Sequence, residues 1–150
     1  NAKQTQVKWR WKAGINTPIS ADFGDPINSD TYALCVYDGT DLVAQADAPA
    51  GGTCAGKPCW SERRGSFRYK DRDRTPNGMG SLDLKSRGGL ISTLSVTASK
   101  NNLVVSDLST VSMPLTVQLQ RGGSLPAQCW ESYFPNATNQ TLEKIKAKTP

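Results

Sequence analysis

The sequence contains no histidine among its 150 residues, and this absence excludes much of ordinary enzyme chemistry. Histidine is the most common general base and the most common zinc or copper ligand. Serine side chains therefore have no imidazole partner, and no Gly-x-Ser-x-Gly motif is present. Two carboxylates could still hydrolyse a glycosidic bond, but no pair is singled out by its surroundings. We predict a protein without catalytic residues, without a cofactor and without a resident metal.

Long apolar runs are also absent. Hydrophobic residues make up 37% of the chain, the mean hydropathy is −0.50, and no segment is long and apolar enough to span a membrane as a helix. A chain of this length normally forms one domain, so we expect a single domain over residues 1–150. The chain begins at Asn1 and shows no signal peptide. We interpret it as a mature exported protein, located extracellularly, at a cell surface or in the periplasm.

Acidic residues are fewer than basic ones: the sequence has 18 Lys and Arg residues and 13 Asp and Glu residues, and its net charge is +5. The basic residues are mostly interleaved with acidic ones, as in residues 70–74. Because the positive charges are dispersed along the chain, we predict a solvated surface and no nucleic-acid partner. Short basic clusters remain at Lys8, Arg10 and Lys12, at residues 63–64, and at residues 144–148.

Cysteines are few but even in number: Cys35, Cys54, Cys59 and Cys129. An even set in a small polar chain predicts disulfides, which persist outside the reducing cytosol. Of three possible pairings we favour Cys54–Cys59, inside one Gly/Pro-rich loop, together with Cys35–Cys129, between two strands. A zinc site is disfavoured, since Cys-x4-Cys with two distant cysteines lacks the paired spacing of structural zinc sites.

Apolar and polar residues alternate in short segments that are separated by Gly, Pro and Asn turns. In residues 5–13, for example, Val7, Trp9 and Trp11 share one face of a strand. We count eight to ten short strands, followed by a polar tail over residues 136–150, within which the composition of residues 141–148 also allows a helix. The pattern predicts an all-β fold: an antiparallel β-sandwich, jelly-roll or immunoglobulin-like, braced by disulfides.

Acidic and amide residues crowd the turn at residues 71–78. Asp71, Asp73 and Asn77 offer the oxygen ligands that Ca²⁺ accepts, but the closing glutamate of an EF-hand loop is missing. Asp and Asn also favour turns because their side chains replace backbone hydrogen bonds. We predict a structural turn, with Ca²⁺ binding as a weak alternative.

Two tripeptides near the C-terminus, beginning at Asn136 and Asn139, fit the N-glycosylation pattern. Both lie in a polar segment that we expect to be exposed. We predict that they become acceptors only if the chain passes through a glycosylating compartment.

A string of motifs covers most of the chain: Asp-Phe-Gly-Asp-Pro at 22–26, Ala-Leu-Cys-Val-Tyr-Asp at 33–38, Val-Gln-Leu at 117–119 and Cys-Trp at 129–130. The most specific motif is the Gly-Gly-Thr-Cys…Lys-Pro-Cys-Trp segment within residues 49–60. Together these motifs resemble an uncharacterised β-rich domain of bacterial exported proteins. The resemblance implies a bacterial source and export, and it carries over no activity and no catalytic residues.

These observations favour a secreted structural or surface-assembly protein. The amphipathic strand of residues 1–13 is followed by a long connector, and it could pair with a neighbouring subunit through Val7, Trp9 and Trp11 to build a filament. Pairing within its own sheet is the simpler expectation. The expected partners are further copies of the chain or other surface proteins.

The alternative function is a carbohydrate- or ligand-binding module that uses exposed aromatic side chains, with a glycan as partner. We expect Trp60 and Trp130 to pack in the core, since each stands next to a cysteine. Trp9 and Trp11 are less constrained by the sequence because they lie on a terminal strand.

Overall fold

Extended segments dominate the computed structural model, which describes residues 5–13, 20–87, 91–99, 102–106, 110–124, 126–141 and 144–147. These ranges contain one short 3₁₀ helix, Ser20–Phe23, and fourteen strands. In chain order the strands are β1 (Gln6–Lys12), β2 (Thr31–Asp38), β3 (Asp41–Ala48), β4 (Thr53–Cys54), β5 (Lys57–Pro58), β6 (Trp60–Arg63), β7 (Ser66–Lys70), β8 (Met79–Arg87), β9 (Ile91–Ser99), β10 (Val104–Val105), β11 (Leu115–Gly122), β12 (Gln128–Phe134), β13 (Ala137–Thr141) and β14 (Lys144–Ala147). Within the described ranges, no helix is long and apolar enough to cross a membrane.

Two five-stranded antiparallel sheets form the sandwich. Sheet A has the strand order β1-β9-β8-β7-β6, and sheet B has the order β10-β3-β2-β11-β12. Alternation of apolar and polar residues turns one face of each sheet inward, as in β11, where every second residue from Leu115 to Arg121 is buried. The predicted all-β antiparallel sandwich is confirmed.

Local signals placed several strands correctly. The hairpin of β2 and β3 turns at Gly39, whose φ of 60° suits a residue without a Cβ atom. Strand β6 was not predicted, because Ser61, Glu62 and Arg63 are all exposed and show no apolar alternation.

The C-terminal segment differs from the predicted polar tail. Strands β13 and β14 pair with each other in an antiparallel hairpin, with Gln140 opposite Ile145. β-branched residues such as Thr141 and Ile145 favour this extended conformation over a helix.

Aromatic rings fill the core at one end of the sandwich. The ring of Tyr32 lies 5.7 Å from that of Trp60 and 6.3 Å from that of Trp130, and the ring of Tyr69 lies 5.2 Å from that of Trp60. Trp60 and Trp130 are only 4% and 6% exposed, which confirms their predicted packing in the core. The Trp60 indole also donates a hydrogen bond of 2.8 Å to the carbonyl oxygen of Pro49.

One of the two predicted disulfides is present. Cys54 and Cys59 are bonded, with Cα atoms 4.9 Å apart, and close the small hairpin of β4 and β5. The predicted Cys35–Cys129 bridge is not formed, and both residues are free thiols.

Sheet order explains this correction. Strand β11 lies between β2, which carries Cys35, and β12, which carries Cys129. Two strand spacings put such residues at least about 9–10 Å apart. A disulfide needs Cα atoms within about 7 Å.

Candidate assembly interface

Strand β1 forms an edge of sheet A and pairs with β9 through seven residue pairs, from Gln6 opposite Ser99 to Lys12 opposite Thr93. Trp9 is 5% exposed and Val7 and Trp11 are partly buried, whereas the alternating basic residues point outward. The structure therefore brings Val7, Trp9 and Trp11 together on one inward face, as the alternation indicated. Residues 1–4 of the proposed arm lie outside the described residues.

Trp9 connects the two sheets. Its indole Nε1 donates a buried hydrogen bond of 3.0 Å to Ser132 Oγ on β12, the edge strand of sheet B. An unpaired buried indole N–H costs about 1–3 kcal/mol, so this bond fixes where β1 lies on sheet B.

The inner face of sheet B presents one row of small and β-branched residues to β1. The register places one residue of each strand side by side, in the order Val105, Ala44, Val36, Val117 and Ser132. Val7 and Trp9 line an apolar cleft of about 130 Å³ together with residues from across this row. Strand β1 thus contacts β12 directly and faces the other strands of sheet B across this cleft.

Two unpaired sheet edges adjoin at this place. In the part of the chain that the structure describes, β1 pairs only with β9, and β12 pairs only with β11. The Trp9–Ser132 hydrogen bond holds these two edge strands next to each other. Exposed edge strands are the usual sites of pairing with another chain.

The predicted turn residues separate into two hydrogen-bond systems. The Asp71 carboxylate is buried and accepts bonds of 2.9 Å from the Asp73 amide and 2.8 Å from the Thr75 amide. Asn77 instead bonds to Asp47 on β3, donating from Nδ2 at 2.6 Å and accepting from the Asp47 amide at 2.6 Å. Asp71 and Asn77 therefore stabilise the turn through hydrogen bonds, whereas the Asp73 side chain is exposed.

Asn136 is exposed at the start of the C-terminal hairpin, and Asn139 lies on β13. An exposed asparagine is sterically available to a glycosylating enzyme. Its modification stays a prediction.

Sequence reasoning missed a buried cluster of charged residues beside the aromatic core, at the end of the sandwich where Arg121 lies opposite Tyr32. Arg121 reaches the carbonyl oxygens of Asp22 and Pro126, and Asp30 is wholly buried and accepts a bond of 2.7 Å from the Ser124 amide. Burial opposes ionisation of Asp30, but the hydrogen bonds from Ser124 and Asp25 and the charge of Arg121 outweigh it and lower its pKa. One sequence feature could have predicted it: Arg121 continues the alternation of the buried residues of β11, which indicates a buried arginine.

The outward face of sheet B carries the two free thiols. Cys35 is buried although it points away from the core, and Cys129 is exposed. Burial is the main cause that raises the pKa of both thiols. Neither thiol is therefore activated as a nucleophile at neutral pH.

Comparison with protein-family models, with curated proteins and with solved structures found no match to this chain.

Proposed function

We propose that this protein is a secreted structural subunit that assembles at a cell surface by donating β1 to a neighbouring copy. The observation that carries the proposal is the position of β1, an edge strand whose inward residues Val7 and Trp9 face residues from all five strands of sheet B across one cleft. A bacterial source and filamentous assembly belong to the same proposal.

The compartment is supported by the Cys54–Cys59 disulfide. A bond of this kind, closing a loop with a sequence separation of 5, is stable where the environment is oxidising. Extracellular, cell-surface and periplasmic locations all meet that condition.

Strand exchange would conserve the contacts of β1. If β1 leaves its own β9, the seven pairing positions and the site next to Ser132 are open to the same strand of another copy. The exchanged strand makes identical contacts, so the exchange has a small free-energy difference, as in domain swapping. Head-to-tail repetition then gives a filament if the rotation between copies does not close.

A disulfide lock tests the proposal. Lys8 and Thr97 are paired across β1 and β9 and point outward, so Lys8→Cys with Thr97→Cys can fix β1 to its own sheet. We expect the oxidised, monomeric variant to stay monomeric in sedimentation-velocity experiments and electron micrographs, and the reduced variant to assemble as the unmodified protein does. A Cys129→Ser background removes the exposed thiol from the experiment.

The matched control locks a different strand pair of the same sheet. Lys70 and Ser81 are paired across β7 and β8, and replacing both with cysteine also removes one lysine. This control should assemble whether oxidised or reduced. Assembly by the oxidised β1–β9 variant, or a monomer at every concentration of the unmodified protein, would contradict the proposal.

Glycan binding through exposed aromatic residues has weaker support. Trp9, Trp60, Trp130 and Tyr69 are all buried, and the large aromatic side chain that is well exposed is Tyr133, at 53%. A single tyrosine offers less stacking surface than a row of tryptophans.

A further inference from the structure

The outward face of sheet A gathers basic side chains that are far apart in the sequence. Strand β1 contributes Lys8, Arg10 and Lys12, and β8 contributes Lys85 and Arg87, all of them exposed. These two strands are far apart in the sequence, but both pair with the same strand, β9. Dispersed charge along the chain thus becomes concentrated charge on one surface.

Strand β9 forms the floor between the two basic strands. Its outward residues Thr93, Ser95 and Thr97 are short, hydroxyl-bearing and only partly buried. Lys12 and Lys85 both lie opposite Thr93, one on each side. The result is a shallow channel along β9, with hydroxyl groups on its floor and longer cationic side chains along its walls.

A depression lies at one end of the channel. Arg10, Lys12, Lys85 and Arg87 surround Thr93 and Ser95 in a depression of about 290 Å³. Guanidinium and ammonium groups bind carboxylate and sulfate oxygens, and the hydroxyls add hydrogen bonds of defined direction. Charge and shape therefore both favour an oxygen-rich anion at this place.

The same face continues onto β7 and β6, where Arg68, Lys70 and Arg63 point outward. In the described strands, one carboxylate lies on this face: Asp83, which pairs with Arg68 Nε at 2.8 Å. Most of the positive charge is therefore not neutralised within the face.

The side chains of the face distinguish between classes of polyanion. Its described outward positions carry no aromatic ring on which a nucleic-acid base could stack. Hydroxyl groups recessed between cations suit a hydroxyl-rich, flexible chain that can settle onto them. The channel over Thr93 to Thr97 is about 14 Å long, which is the length of a short oligosaccharide.

The geometry points to a binding site for a linear acidic polysaccharide, which lies along β9 with its carboxylate or sulfate groups between the basic residues of β1 and β8. The site is independent of strand exchange, because a donated β1 would bring the same outward lysines and arginine to the same β9. It uses the opposite face of β1 from Val7 and Trp9.

The test measures binding of the full chain to immobilised alginate, a linear polymer of uronic acids, by biolayer interferometry. We expect binding that weakens steeply as salt is added, because association releases counterions, and no binding to neutral dextran. Lys12→Gln with Lys85→Gln should weaken alginate binding by about tenfold.

Two further variants separate the site from net charge and from misfolding. Lys57→Gln with Arg72→Gln removes the same charge at exposed positions outside the face, and affinity should change by less than about twofold. Asp83→Asn removes the carboxylate of the face and should strengthen binding, a gain that an unfolded protein would not give. Circular dichroism checks that each variant keeps its strand content.

The remaining outcomes overturn the inference. Absence of alginate binding at low salt would do so, and so would equal losses of affinity in the Lys12/Lys85 and Lys57/Arg72 double variants. Tighter binding to single-stranded DNA, or to phosphatidylcholine vesicles containing phosphatidylglycerol, would assign the face to a nucleic acid or to a membrane instead. None of these results bears on assembly through β1, which the β1–β9 lock tests separately.

Discussion

The two free cysteines on the outward face of sheet B differ in their exposure to solvent. Cys129 is exposed, whereas Cys35 is 5% exposed and lies between neighbouring strands of the same sheet. We predict that a chromogenic disulfide reagent labels one thiol in the native protein and a second only after unfolding without reductant. The raised pKa of Cys129 should make the native reaction slow at neutral pH.

Cys129→Ser is the control for this experiment and should abolish the native reaction. If the denatured, unreduced protein showed no free thiol, Cys35 and Cys129 would be bridged and the sheet order of β2, β11 and β12 would be wrong. Four free thiols would remove the Cys54–Cys59 disulfide and the argument for an oxidising compartment.

Tyr69 provides a pH-dependent contribution to stability. Burial, with a smaller effect of Asp71, raises the pKa of its phenol from 10.0 to about 12. The phenol therefore keeps its proton to a higher pH in the folded state than in the unfolded state. Its contribution to the free energy of unfolding is complete below about pH 10 and is lost as the pH rises to about 12.

Urea unfolding followed by fluorescence across this pH range measures the effect. Tyr69→Phe should lose less stability between pH 10 and pH 12 than the unmodified protein. Some loss will remain, because burial also raises the pKa of Tyr32. Identical losses in both proteins would show that Tyr69 ionises as freely as in water.

At the scale of secondary-structure elements, β1 depends on one side chain more than on the others. Trp9 is almost fully buried and hydrogen-bonded to Ser132, whereas Trp11 shares its face but is only partly buried. We predict that Trp9→Ala lowers the free energy of unfolding by about 3–5 kcal/mol. Trp11→Ala, the matched control, should lower it by about 1–2 kcal/mol.

Chemical denaturation of both variants gives the comparison. Equal losses would mean that β1 is held by its ladder with β9 alone and not by its contact with sheet B. A strand held in that way would fit strand exchange less well, because the acceptor groove would offer no specific site for its side chains.

At the scale of the whole molecule, β1 has two faces with two different proposed roles. Its inward residues close the apolar end of sheet B, and its outward residues form one wall of the basic channel. Strand alternation makes this division possible, because successive side chains point to opposite sides of the sheet. In an exchanged filament the channel of each subunit would be completed by the next copy, so polysaccharide binding and assembly would use one strand without competing for one surface.

Features that depend on residues close in sequence could be predicted, and features that depend on contacts between distant residues could not. Residues 5–13 were placed as a strand because alternation is local, and Cys54 and Cys59 were paired because one short loop contains both. Strand β6 and the C-terminal hairpin were missed, since their local pattern is weak. The buried hydrogen bonds of Arg121 and Asp30 were missed because most of their partners are distant in sequence.

The sequence by itself determined that the chain is all-β and antiparallel and which face of each alternating strand turns inward, and it favoured the short disulfide. These properties depend on neighbours within a few residues along the chain. Only the tertiary structure decided that β11 separates Cys35 from Cys129, and that β9 brings the basic residues of β1 next to Lys85 and Arg87 of β8. Both follow from the order of strands in a sheet. That order is set by packing between segments that are distant in sequence, so the residues of a single strand do not indicate it.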